Sequence, residues 1–63
     1  MTANQWNAIE RQARIYVSPT LDGPEADAAV RAILAWEWSN PAAGPERRAG
    51  VWARVVRGAR PIG

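Results

Sequence analysis

"PERRAGVWARVVRGAR", Pro45 to Arg60, decides what kind of fold this chain can have. Read with a helical repeat, Val51, Trp52, Val55, Val56 and Ala59 share one face, while Arg47, Arg54 and Arg57 project to the other. Arg48 lies near the border between the two. Pro45 suits a first helical position, where a missing N–H costs nothing, and Glu46 sits near the positive end of the helix dipole. Arg54, Arg57 and Arg60 lie toward the negative end, where cations are favoured. Against the helix stands Gly50, which costs about 1 kcal/mol relative to Ala inside one. It either marks a close helix–helix approach or argues for another conformation. That alternative is a strand, 51–56, bounded by Gly50 and Gly58 and paired with residues 15–17 of "RIYV", which would make the fold α+β. The helix is preferred, because a two-stranded sheet in so short a chain is only marginally stable.

The segment before it, "LDGPEADAAVRAILAWEW" from Leu21 to Trp38, carries the clearest helix signals. Asp22 can cap and Glu25 follows three residues later, a capping-box pattern, with Pro24 in the first turn. Ala26, Ala29, Val30, Ile33 and Trp36 form its apolar stripe, and Asp27 stands four residues before Arg31 on the opposite side. Asn40–Pro41 ends it, and "NPAAGP" connects onward. Nearer the start, "TANQWNAIERQARIYV" opens with Thr2 and Gln5 at capping-box spacing. Trp6, Ile9, Ala13 and Tyr16/Val17 then recur at helical intervals. Glu10 precedes Arg14 by four, and Pro19 pushes Ser18 out of helix. The expectation is a single all-α domain of three helices, about 3–17, 23–39 and 45–58, with a loose tail over 59–63.

Sixty-three residues bury only roughly 60% of the surface they would expose unfolded, so large side chains or a partner must add stability. Cysteine and histidine are both absent, and all eight basic residues are arginine. The chain therefore lacks disulfides, the commonest transition-metal ligand and the commonest general base. Arginine without lysine, and many alanines, read first as the codon bias of a GC-rich genome, such as that of an actinobacterium or one of its phages. Ser18 and Ser39 have no base beside them in sequence and flank helix ends, where serine is ordinary. Asp22, Glu25 and Asp27 lack the alternation of a calcium loop and are explained by a helix start. No catalytic residue, metal ligand or cofactor is expected. "MTANQW" has no signal-peptide pattern and no apolar run approaches a spanning length, so a soluble cytoplasmic protein is expected.

Two surfaces then carry the functional reading. In "AILAWEWSNP", Trp36 and Trp38 are two residues apart, about 200° around a helix, so both cannot face one core. Trp36 falls with Ile33 and Ala29; Trp38 falls with Leu34, toward Asp27 and Arg31. Leu34, Trp38 and Arg31 are thus the candidate contact, unless "WEW" unwinds, the "NPAAGP" connection covers Trp38, or Trp38 stacks on Arg31. Glu37 between the indoles opposes the helix dipole and lacks a helix-stabilising motive. The expected function is that of a small non-catalytic binding protein: a regulator, inhibitor or accessory subunit docking on a larger protein, or a homodimer. The alternative is nucleic-acid binding through Arg47, Arg48, Arg54, Arg57 and Arg60, and a third is a peripheral membrane helix. The connection before the arginine-bearing helix is too long, and too rich in proline, for a good helix-turn-helix.

Overall fold

The computed structural model describes residues 2–60 and forms a single all-α domain. Its helices are α1 (Ala3–Val17), α2 (Gly23–Ser39) and α3 (Pro45–Ala59). Residues 15–17 and 51–56 are helical, so the α+β alternative is excluded. The physical reason is that a helix brings Trp52 and Val56 to one buried seam with Val55 and Ala59 on its margin and Arg54 outside, whereas a strand would set Arg54 on the same face as Trp52 and Val56 and turn Val55 away. Ala59 is helical too, so α3 runs one residue beyond the expected end. Of the expected loose tail, residues 61–63 lie outside the described residues.

The helix ends show which local signals were honoured. At α1 the capping box forms in full: the Gln5 N–H donates to Thr2 Oγ1 at 3.2 Å, and the Thr2 N–H donates to Gln5 Oε1 at 2.8 Å. At α2 the Asp22 side chain makes no cap hydrogen bond, so the second capping box does not form. Gly23 accounts for this. It takes φ +56, a left-handed conformation suited to glycine, and this turn stands between Asp22 and the right-handed helix that Pro24 begins. The other end of α2 is closed by Asn40, whose Nδ2 donates to the Trp36 carbonyl at 2.9 Å.

α2 is the central helix and packs against α1 on one side and α3 on the other. Trp6 meets Trp38 and Arg14 meets Asp27, so α1 and α2 run antiparallel. Ala13 and Val17 of α1, Leu21, Ala29, Val30 and Ile33 of the middle segment, and Trp52 and Val56 of α3 form the core. Ile9, Ala26, Leu34, Val55 and Ala59 pack on its margin. Asp27 does not pair along its own helix with Arg31. It bridges to Arg14 at 3.3 Å, and Arg14 also reaches Glu10 at 3.7 Å, giving an exposed ion-pair chain across the α1–α2 seam. Gly50 is neither a close-packing site nor a breaker. It sits on the exposed face, with nothing within 4 Å of where a Cβ would be.

Candidate functional site

The sequence stripe of α2 places Trp36 in the core, but the structure gives that place to its neighbour. Trp36 is half-buried, and Glu37 is 4% exposed. The spacing explains the exchange. Ala26, Val30, Ile33 and Glu37 recur at four, three and four residues, so the fourth turn of the buried face falls on a carboxylate. An ionised carboxylate out of water is costly unless it is paired and hydrogen-bonded. Here α3 supplies both partners. Arg48 Nε donates to Glu37 Oε2 at 2.8 Å, and the Trp52 indole N–H donates to the same oxygen at 3.0 Å. The Arg48 guanidinium also stands 5.6 Å from the centre of the Trp52 ring, so the three groups close a triangle. This is the motive that Glu37 lacked as a helix-end residue: it satisfies the one polar atom of the largest core side chain. Two signals in the sequence pointed to it, the spacing and an acid at the wrong end of a helix dipole.

Trp38 has a different fate. α2 remains helical through Ser39, so "WEW" does not unwind, and Trp38 is 70% exposed, so the following connection does not cover it. Its ring meets the edge of Trp6 from α1, with centroids 5.5 Å apart and planes at 82°. Among the described residues, the guanidinium placed over an indole is Arg48 on Trp52, not Arg31 on Trp38. Leu34 packs at the core margin, and Arg31 is exposed one turn further back. The most exposed aromatic surface among the described residues is therefore Trp38 with Trp6, a half-buried indole contributed by α1; Tyr16 is also exposed, at 42%. No local pattern in the sequence pairs residues 6 and 38; the antiparallel packing does. A second aromatic contact, Tyr16 against Trp52 at 5.6 Å, links α1 to α3. Ile15 beside it is 65% exposed.

On α3, Arg47, Arg54, Arg57 and the following Arg60 are exposed, and none makes an ion pair within the described residues. Helical geometry puts Arg47, Gly50, Arg54 and Arg57 on one outer strip. Arg48 is not part of that strip: it stands four residues before Trp52, toward the inner face, where it pairs with Glu37. Among the described residues, no three acidic side chains come together in a group able to hold a metal ion. Asp27 is engaged with Arg14, while Asp22 and Glu25 are exposed at the start of α2. No described helix is long and apolar enough to cross a membrane.

No protein-family model, curated protein or solved structure matches this chain, so the functional reading rests on its own chemistry.

Proposed function

We propose that this is a small non-catalytic binding protein that docks on a larger protein through the end of the α1–α2 pair carrying Trp6 and Trp38. The observation that supports it is the 70% exposure of Trp38 on a rigid helical turn, held edge-on by a second indole from another helix. An indole left in water forgoes the burial that makes tryptophan favourable, and tryptophans placed this way are enriched at the energetic centres of interfaces. Arg31 and Leu34, one to two turns back on the same helix, extend the patch along α2 as a polar rim and an apolar margin. Because the two rings already pack on one another, docking needs less side-chain ordering than two separate indoles would, which favours affinity. A cytoplasmic setting and a role as regulator, inhibitor or accessory subunit belong to the same proposal.

The test is Trp38→Ala, followed by circular dichroism and by affinity capture from the native host's nuclease-treated lysate. The expected result is an unchanged helical signal with loss of a partner that the unaltered chain captures. A variant that loses its helical signal instead would make Trp38 a structural residue and end the proposal. A concentration-dependent dimer that dissociates on the same substitution would replace the larger partner with a second copy.

A second reading has its own support: Arg47, Arg54 and Arg57 form a strip of guanidinium groups on α3 that makes no ion pair among the described residues. Such a strip suits a phosphate backbone, with Arg60 one turn on. Binding of a duplex should weaken on Arg54→Ala and fall steeply with added salt. Absence of gel retardation at low salt removes this reading.

A further inference from the structure

At the same end of the molecule, a groove of about 490 Å³ opens between α1 and the start of α3. Gln5, Ala8, Ile9 and Gln12 line one side, Pro41, Ala43 and Arg48 the other, and Glu37 is the buried side chain among them. The volume falls in the range of ligand sites, and the lining mixes apolar surface with a few polar groups, as such sites do.

The polar groups are placed unevenly, and that unevenness is informative. Both donors that hold Glu37 converge on Oε2, and no donor among the described residues reaches Oε1. Among the described residues, no fully buried side-chain nitrogen or oxygen lacks a partner, so Oε1 is not sealed off, and Glu37 is one of the residues that line the groove. Arg48 spends its Nε on Glu37, and its terminal nitrogens make no bond to the described residues. Glu37 and Arg48 both line the groove, so it is bordered by an acceptor and by donors that no described residue engages, within a pair whose charges already cancel. A carboxylate entering it would meet Glu37, and a guanidinium or ammonium would meet Arg48. A neutral group that donates and accepts side by side fits both, and the peptide amide is such a group.

We propose that this groove binds an extended peptide segment, an amide N–H donating to Glu37 Oε1 and a neighbouring carbonyl accepting from the Arg48 terminal nitrogens. Ile9, Ala8 and Pro41 give its side chains an apolar wall, and the Gln5 and Gln12 amides offer further partners along α1. The site is separate from the Trp6–Trp38 surface, which lies on the other side of the α1–α2 seam by helical phase.

The probe is acetyl-Ala-Ala-Ala-methylamide, titrated to the millimolar range into the ¹⁵N-labelled chain. The Trp52 indole N–H and the Arg48 Nε–H report, since both sit on the other oxygen of Glu37. Both resonances are expected to move in a saturable way, while acetate and methylguanidinium at the same concentrations leave them in place. Glu37→Gln can keep an oxygen toward Trp52 and Arg48 while turning an NH₂ group to the groove, and it should reduce the binding at least tenfold. Ala8→Leu fills the groove from an exposed helical position that tolerates leucine, and should do the same with the fold intact. Trp38→Ala should leave the titration unchanged, so this site and the docking surface stand or fall separately. Resonances that stay fixed with the peptide, or that move equally in Glu37→Gln and Ala8→Leu, overturn the proposal.

Discussion

Trp52 and Trp38 are the same residue in two opposite situations, at two places only a few turns apart. Trp52 is buried, its ring edge-on to Tyr16, and its N–H is bound by a carboxylate that exists in the core for that purpose. Trp38 is mostly in water, its ring edge-on to Trp6, with no hydrogen-bond partner among the described residues. Both make one aromatic contact of nearly the same length, so aromatic pairing does not separate them. What separates them is the polar end of the indole. The protein places a carboxylate inside itself, paired with a half-buried arginine, to satisfy one N–H and leaves the other to solvent. An indole satisfied from within belongs to the fold; an indole left unsatisfied on a rigid surface is free to belong to something else.

The difference can be broken most forcefully at its buried side. Trp52→Ala removes the largest core side chain and should cost about 3–5 kcal/mol. For a domain of this size that approaches the whole folding free energy, so thermal melting followed by circular dichroism should show a largely unfolded chain at ambient temperature. Survival of a cooperative melt near that of the unaltered protein would mean that Trp52 is not the anchor of α3. Glu37→Ala is gentler. It strands the Trp52 N–H and frees Arg48 to turn outward, for an expected loss of about 1–3 kcal/mol. If Glu37→Ala melted higher than the unaltered chain, the buried pair would be a net cost that packing outweighs, as happens in some proteins.

At the exposed side the expected effects shrink. Trp38→Ala should cost about 0.5–1.5 kcal/mol, the value of its edge contact with Trp6, and lower the melting temperature by several degrees. A loss as large as that of Trp52→Ala would erase the distinction between the two indoles. The smallest effect is of opposite sign. Gly50→Ala adds a methyl group in open space on the outer face of α3 and should stabilise by up to about 1 kcal/mol. Its melt should rise, and its near-ultraviolet spectrum should stay unchanged because no aromatic ring is touched.

Much of the architecture was legible because it is written in local signals. The Thr2/Gln5 spacing, Pro24 and Pro45 in first turns and Asn40–Pro41 after Ser39 each act within a few residues and bracket the helices. α1 does end at Val17, but Pro19 does not push Ser18 out of helical conformation, since Ser18 keeps φ -61 and ψ -33 and its N–H still bonds to the Arg14 carbonyl. The Asp22/Glu25 signal was equally good on paper and failed, because Gly23 is free to adopt a backbone turn that the capping pattern does not anticipate. The candidate site was legible in part. A turn of 200° between Trp36 and Trp38 says that one indole must face away from the core, and Trp38 does. That Trp36 yields the buried position to Glu37 was not expected, since a carboxylate enters a core only when a partner from elsewhere in the chain receives it.

The sequence by itself determined three helices, their ends to within a residue, and the fact that the indoles of α2 could not all be sheltered by one seam, since those follow from backbone sterics and from helical periodicity over short spans. Only the tertiary structure decided which residues became partners: Arg48 and Trp52 for Glu37, Trp6 for Trp38, Asp27 for Arg14. Each of those pairs joins side chains on different helices, and burial from two sides is what turns an acid at a helix end into the polar centre of the core.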